Sequence, residues 1–167
     1  YKSIIFKFKK KTKLDSLSTN INNLDELFNY FGSDKGTNVI NPYQKKKDYL
    51  QIKKIGHGYG YFYENHLKYL QNKRINILEI GTWKGASAAA FYFYFKKAQI
   101  YCLDRNYKLI FRSKRLKFFN CNTTNTKEIN NLDNILFENK ENTFEVIIDD
   151  GSHIYSDILR NLTFFFK

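Results

Sequence analysis

The residues best suited to chemistry lie at positions 149–153, which read Asp-Asp-Gly-Ser-His and follow the apolar run 146–148. Asp150 and His153 are three residues apart across a tight turn, so both side chains can point into one cleft. A hard metal ion prefers carboxylate oxygens, and a neutral imidazole is a natural general base near pH 7. In the structural alternative, Asp150 or Ser152 simply caps the following helix. Two adjacent acids beside a histidine favour the functional interpretation.

A second candidate is the glycine turn Glu79-x-Gly81-x-x-x-Gly85 at the first predicted strand-to-helix junction. Open parallel sheets bind ligands beyond the carboxyl ends of their strands, and glycine lets the backbone approach a ligand closely. The spacing differs from the Gly-x-Gly-x-x-Gly pattern that seats a pyrophosphate. An acidic residue at the strand end suits a cofactor that carries a positive amino group. The structural alternative is an ordinary tight turn.

Polar residues also end the next two predicted strands. Asp104 follows Gly81 by about 20 residues, the spacing at which an acidic side chain accepts hydrogen bonds from ribose hydroxyls. Its structural alternative is a solvated aspartate beside Arg105. Asn122 and Thr123 follow the third strand, where a polar side chain could reach an adenine edge, although such residues also occur in turns without a ligand.

Alternating strand and helix patterns in the second half of the chain must position these residues. The patterns predict strands at 75–80, 99–104, 116–121 and 144–149, with helices at 85–97, 125–138 and 154–166. Such alternation indicates parallel strands joined by right-handed crossovers. We therefore predict an α/β, Rossmann-like fold with an incomplete parallel sheet of order 3-2-1-4, in which Gly81, Asp104 and Asp150 share one edge.

The first half of the chain has a different pattern. Helical spacing predicts a helix that starts at Asn23 or Asp25 and ends at Gly32, and a second helix at 61–70. Between them, several glycines, one proline and a lysine run indicate long loops. We divide the chain into a lead-in with a helical and loop lid region, residues 1–72, and an incomplete Rossmann-like core, residues 73–167.

The formal net charge of +12 raises the question of nucleic-acid binding. Lysine supplies most of the 28 basic residues and is scattered along the chain. Phosphate and base recognition instead favours arginine forks and local clusters. A compositional bias towards lysine and asparagine therefore explains the charge better, although the runs 7–13 and 45–47 could contact an acidic substrate.

Cellular location and chain ends are read from simpler features. Cys102 and Cys121 fall in predicted strands without metal-ligand spacing, which predicts buried thiols in a reducing compartment. No apolar run approaches the roughly 20 residues that span a bilayer, and no signal-peptide pattern is visible. These features predict a cytoplasmic protein. The chain starts at Tyr1, contains no Met and ends on an aromatic run, which predicts a fragment that is open at both ends.

Five short motifs occur in order along the chain: Gly-Ser-Asp-Lys-Gly-Thr at 32–37, His57-x-Tyr59, Tyr63-Glu64, Leu-Glu-Ile-Gly at 78–81, and residues 149–153. Together they resemble the class I methyltransferases related to macrolide-sugar O-methyltransferases, a family that also includes proteins called cephalosporin hydroxylases. The resemblance covers about residues 24–167. Its Asp-Asp-Gly-Ser-His element is specific, whereas its glycine turn is not.

The resemblance implies an S-adenosylmethionine (SAM) site at the strand ends. The resemblance places this site at Glu79, Gly81, Asp104 and Asn122. We add the neighbouring residues Gly85 and Asp149 to the expected cofactor site. The resemblance also implies a magnesium ligand at Asp150 and a catalytic base at His153. The family's further metal ligands would lie beyond Lys167. The loops 32–37 and 57–63 are expected to form a lid that excludes water.

The predicted function is SAM-dependent, magnesium-assisted methylation of a hydroxyl on a sugar or glycosylated metabolite. The expected partner is thus a small-molecule or glycan acceptor rather than a nucleic acid, and homo-oligomerisation stays open. Two alternatives remain. An RNA methyltransferase would show a contiguous basic face beside the cleft, and a non-catalytic Rossmann-like binding module would use the same edge without a metal.

Overall fold

The computed structural model describes residues 11–38, 56–106, 108–137 and 143–166. Within these ranges the strands are β1 (Thr12–Lys13), β2 (Asn76–Ile80), β3 (Gln99–Asp104), β4 (Phe111–Arg112), β5 (Leu116–Asn120) and β6 (Val146–Asp149). The α-helices are α1 (Leu24–Phe31), α2 (Gly60–Leu67), α3 (Ala86–Tyr94), α4 (Thr126–Phe137) and α5 (Tyr155–Phe165). The Lys run 45–47 and most of the run 7–13 lie outside the described residues.

The central sheet has four parallel strands in the order β5-β3-β2-β6. In chain order these are the third, second, first and fourth predicted strands, so the predicted order 3-2-1-4 is confirmed. The register pairs Ile80 with Leu103 on one side and with Asp149 on the other. The carboxyl ends of β2, β3 and β6 therefore lie at one edge of the sheet, as the sequence predicts.

Helices cover both faces of this sheet, because neighbouring residues of each strand point to opposite sides. Ile77 packs on one face with the apolar side chains of α1 and α3. Leu78, the next residue, packs on the other face with Ile129 and Leu132 of α4 and with Phe165 of α5. Burial on both faces explains why the central strands β2 and β3 are mostly apolar in sequence.

The N-terminal helix α1 packs directly on α3 through aromatic side chains. The rings of Phe28 and Phe91 meet edge to face with centroids 5.4 Å apart, and the Phe31 and Phe93 rings stack at 5.4 Å. The helix starts after Asn23, whose side chain accepts a hydrogen bond from the Glu26 amide. It ends at Gly32 in a left-handed conformation, so both predicted boundaries are confirmed.

The lead-in contains structure that the sequence pattern does not reveal. Strand β1 pairs in parallel with β4, and Leu14 immediately after it is completely buried in the core. Two-residue strands are too short to produce a periodic pattern, which is why neither was predicted. The predicted helix 85–97 is also shorter than expected, because Phe95 already has an extended backbone.

Both cysteines are free and buried, as the sequence predicts. Burial raises the pKa of the Cys121 thiol to about 11 and that of Cys102 further. Across the part of the chain that the structure describes, no helix is both long and apolar enough to cross a membrane.

Arg115 closes the C-terminal end of α3. Its guanidinium donates to the backbone carbonyls of Tyr92 at 2.8 Å, Phe95 at 2.9 Å and Ala98 at 3.0 Å, and it lies 3.8 Å above the centre of the Tyr92 ring. These carbonyls lie at and just after the helix end, where α-helices leave acceptors without an intrahelical partner. Arg115, which directly precedes β5 in the chain, therefore links the end of α3 to that strand.

We expect Arg115→Met to lower the free energy of unfolding by about 1.5–3 kcal/mol, because it removes charge-assisted hydrogen bonds from carbonyls at the helix end. Urea unfolding followed by circular dichroism measures the change. Arg112→Met is the matched control, since Arg112 is exposed on β4. Equal stability of the two variants would contradict the capping role of Arg115.

Candidate active site

Two adjoining cavities open at the carboxyl edge of the sheet. The first has a volume of about 490 Å³ and the second about 850 Å³, within the range typical of small-molecule sites. They share a wall made of Gly81, Trp83, Asp150 and Gly151. Two ligands bound side by side would therefore meet across the turns that follow β2 and β6.

The turn after β2 brings the backbone into close approach with the turn after β6. Gly81 has a φ of +83°, and a Cβ at this position would lie 2.6 Å from the Cα of Gly151 and closer still to the carbonyl oxygen of Asp150. The Gly81 amide donates to the carbonyl of Leu103 at 2.8 Å, which fixes the turn on β3. Only glycine fits this position without a shift of the backbone.

Asp104 lines the first cavity and also shapes the glycine turn. Its carboxylate accepts from the backbone amides of Trp83 and Asn106, each at 2.7 Å. Trp83 has a φ of 49°, a left-handed conformation that is uncommon for a residue other than glycine. The bond from its amide to Asp104 stabilises that conformation. An ionised carboxylate has about four acceptor sites, so Asp104 can still accept from a ligand.

Asn122 lines the first cavity as well, together with Thr123 and Thr124. The Oδ1 atom of Asn122 accepts from the amide of Thr124 at 3.2 Å and from its hydroxyl at 2.8 Å. The residue thus stabilises a local turn at the cavity wall. Both interpretations of Asn122 from the sequence, a turn and a ligand contact, are compatible with this position.

Three predicted cofactor residues are not among the described residues that line the two cavities: Glu79, Gly85 and Asp149. Gly85 has a φ of +83° and precedes α3, next to the side chain of Leu109. Asp149 accepts from Asn161 of α5 at 2.9 Å. These residues surround the site, and their assignment to a cofactor stays a prediction.

Glu79 is completely buried directly beneath the glycine turn. Its Oε1 atom accepts from the Ser87 hydroxyl, whereas its Oε2 atom has no hydrogen-bond partner among the described residues. Burial raises the pKa of the Glu79 carboxyl, and the nearby Lys35 ammonium partly opposes this shift. A buried carboxylate oxygen without a donor is costly.

Lys35 is the main site residue that sequence reasoning missed. Its side chain is only 5% exposed, and its ammonium group donates to Asp150 Oδ2 and lies 3.8 Å from Glu79 Oε1. Burial alone would lower the pKa of Lys35, but the Glu79 and Asp150 carboxylates outweigh this effect and raise it. Lys35 therefore carries a positive charge between two acidic residues of the site.

Two loops hold Lys35 in place through backbone hydrogen bonds. The amide of His57 donates to the carbonyl of Asp34 at 2.7 Å, and that of Tyr59 to the carbonyl of Lys35 at 2.8 Å. The loops correspond to the two N-terminal motifs of the sequence, and both line the second cavity. The imidazole of His57 stacks on the Tyr59 ring with centroids 5.1 Å apart.

Asp150 and His153 both line the second cavity, which confirms that they face one cleft. Helix α5 begins after Ile154 without a side-chain cap, so Asp150 is not the cap of that helix. Ser152 instead donates to Asp157 at 2.7 Å and accepts from the Ile154 amide at 3.3 Å. Ser152 thus has the structural role, whereas Asp150 and His153 line the cavity and Asp150 Oδ2 also accepts from Lys35.

The described residues contain no cluster of three or more His, Cys, Asp or Glu side chains that could enclose a metal ion. Asp150 offers one partly exposed carboxylate at the cavity wall. Magnesium commonly binds through one or two carboxylates, with water and substrate oxygens completing its shell. Asp150 fits one such position.

Comparisons with known proteins identify the fold. No protein-family model matches the sequence, and no curated protein sequence matches it. Three solved structures of MycE methyltransferase from the mycinamycin biosynthetic pathway do match in structure, each with a TM-score of 0.65 and 23% sequence identity. One contains Mg, SAH and mycinamycin VI, and the other two contain Mg and SAH in different crystal forms.

The match covers 86% of this chain but only 33–36% of the MycE chains, so the chain spans about a third of their length. At this identity the likeness concerns the fold alone. The protein has a Rossmann-like α/β fold similar to that of these methyltransferase structures, with the parallel sheet and flanking helices described above.

Proposed function

We propose that this protein transfers the methyl group of SAM to a hydroxyl of a small molecule, with a sugar or glycosylated metabolite as the acceptor. The observation that carries the proposal is the pair of cavities that share the wall around Gly81 and Asp150. Methyl transfer needs a donor and an acceptor in contact, with attack in line with the departing sulfur. Two cavities lined by the same four residues would hold a donor and an acceptor next to each other, which supports this proposal.

The first cavity is the proposed donor site. Asp104 can accept hydrogen bonds from ribose hydroxyls, and Asn122 lies where it could reach an adenine edge. Gly81 lines this cavity, and its turn lacks the glycine spacing that seats a pyrophosphate. Glu79 lies buried behind the glycine turn and outside both cavities, so it could act on the methionine part of SAM only through its charge. The MycE complexes with SAH support this choice of donor.

The second cavity is the proposed acceptor site. We assign His153 as the base that takes the proton of the acceptor hydroxyl while that oxygen attacks the methyl carbon. The loops that carry Lys35 and His57 line this cavity, and we propose that they exclude water from the reaction. The MycE complex with mycinamycin VI supports a small-molecule acceptor.

A divalent ion would be held by Asp150, and magnesium is the proposed ion because the MycE structures contain it. When bound, magnesium supplies positive charge that favours loss of the acceptor proton. His153, three residues further along the same turn, is the group that receives this proton.

Isothermal calorimetry tests the donor assignment. We expect the protein to bind SAM and not NADH, and Asp104→Ala to weaken SAM binding by about 1–3 kcal/mol, or about 5–150-fold, because a hydrogen-bonded partner is lost. Glu26→Ala is the control, since Glu26 is exposed on α1 and lines neither cavity. Binding of NADH with none of SAM would refute the proposal, and unchanged affinity of Asp104→Ala would remove the ribose contact from it.

A further inference from the structure

Lys35 belongs to no catalytic step proposed above, yet it is the most buried cationic side chain at the site. Its ammonium group lies between Asp150 Oδ2 and Glu79 Oε1 with 5% of the side chain exposed. A buried lysine is costly unless it is paired, and here both partners are acidic residues already assigned to the site. The arrangement therefore links the loop 33–37 to the charges around the proposed metal position.

Asp150 Oδ2 is the atom on which this inference depends. It accepts from Lys35, and the carboxylate is also the proposed ligand of the divalent ion. Two cations repel strongly at the separation that a single carboxylate imposes, because Coulomb energies rise at short distance in a partly buried site. The ion and the ammonium group therefore compete for Asp150.

We propose that Lys35 is a positioning residue that sets the affinity of Asp150 for a divalent cation and couples binding of the cation to the loops over the acceptor cavity. The proposal rests on the assignment of Asp150 as a metal ligand. The coupling follows from the backbone bonds of Lys35 and Asp34 to the segment 57–59. A cation that displaces the ammonium group from Asp150 removes one of the two carboxylate partners that anchor this pair of loops through Lys35.

Coupling between two sites is reciprocal, so it has two measurable consequences. Removing the ammonium group should strengthen cation binding, and adding the cation should loosen the loops. If Lys35 had a purely structural role, removing its ammonium group would weaken cation binding, because a disordered site binds a metal more weakly.

The first experiment titrates the protein with Mn²⁺ and follows free Mn²⁺ by electron paramagnetic resonance. We expect Lys35→Met to bind Mn²⁺ about 10-fold or more tightly than the unaltered protein, because one nearby positive charge is lost. Lys35→Arg keeps the charge and should stay within about 3-fold of the original affinity. Weaker or unchanged binding by Lys35→Met would overturn the proposal.

A second variant guards against loss of folding. Lys35→Met alone leaves Glu79 buried without its cationic neighbour, which can destabilise the core. Lys35→Met/Glu79→Gln removes one charge of each sign and should still bind Mn²⁺ more tightly than Glu79→Gln. Equal affinities of these two proteins would contradict competition at Asp150.

Asp150→Asn separates the failure of this proposal from failure of the proposed function. If Asp150→Asn leaves Mn²⁺ affinity unchanged, Asp150 is not the ligand and the metal assignment itself is wrong. If Asp150→Asn abolishes binding but Lys35→Met does not strengthen it, only the role of Lys35 is wrong.

Hydrogen exchange tests the coupling without a catalytic assay. The amides of His57 and Tyr59 donate to the loop that carries Lys35. We expect Mg²⁺ to accelerate their exchange in the unaltered protein and to have no effect in Lys35→Met, where exchange is already fast. Equal acceleration in both proteins would show that the cation does not act through Lys35.

Discussion

Replacing His153 with alanine should reduce the rate of methyl transfer by about 10²–10⁴-fold, the loss expected when a general base is removed. His153 lines the second cavity, next to the wall that the two cavities share, and it does not line the first. The affinity for SAM should therefore change by less than about 2-fold, which is within the range of small surface effects. Single-turnover rates at saturating SAM separate the chemical step from binding.

His66→Ala is the matched control for this variant. His66 lies on α2, where its ring is 4.6 Å from that of Phe62, and it lines neither cavity. Its replacement should leave the rate unchanged. Full activity of His153→Ala would mean that another group accepts the proton, whereas a parallel loss of SAM affinity would indicate a structural role for His153.

Gly81→Ala should be the most damaging single substitution for the donor site. The added Cβ would overlap the backbone carbonyl of Asp150 and lie 2.6 Å from the Gly151 Cα, at a φ of +83°. We expect a loss of about 2–4 kcal/mol in the free energy of unfolding, from left-handed strain and overpacking together. Because the turn must move, SAM affinity should fall by at least about 100-fold, as when a small misplacement disrupts a site.

Gly32→Ala separates the two causes of this damage. Gly32 also has a positive φ, +75°, but a Cβ there would meet no atom within 4 Å. The Gly32→Ala protein should lose only about 1 kcal/mol of its free energy of unfolding, because of left-handed backbone strain. Its affinity for SAM should stay unchanged. Urea unfolding and calorimetry on both variants make the comparison. Equal losses for the two variants would show that the contact with Asp150 does not constrain the turn.

Most of the sheet could be predicted from the sequence, because its central strands β2 and β3 are buried on both faces and appear as apolar runs. Asp104 and Asp150 each end such a run, so their common edge follows from parallel topology alone. The boundaries of α1 could also be predicted, since Asn23 and Gly32 are ordinary cap residues with a direct local effect. In each case the signal is local in sequence.

Lys35 and Leu14 could not be predicted because their positions depend on distant parts of the chain. A lysine in a glycine-containing loop is normally solvated, and nothing near Lys35 in sequence indicates that Glu79 and Asp150 will surround it. Leu14 is buried because β1 pairs with β4, about a hundred residues away. The position of Glu79 was predicted, but its isolation from both cavities depends on the packing of Ser87 against it.

The residues that the two cavities share are less open to substitution than the outer residues of the second cavity. Two of the shared residues are glycines, Gly81 and Gly151, and the turns that contain them are held by the sheet itself. The outer side of the second cavity is built instead from the loops around Lys35 and His57. With the cavities assigned as proposed, exchange of these loops would remodel the acceptor cavity while the donor cavity keeps its shape. Variants that accept new substrates are therefore best sought in libraries restricted to the loops.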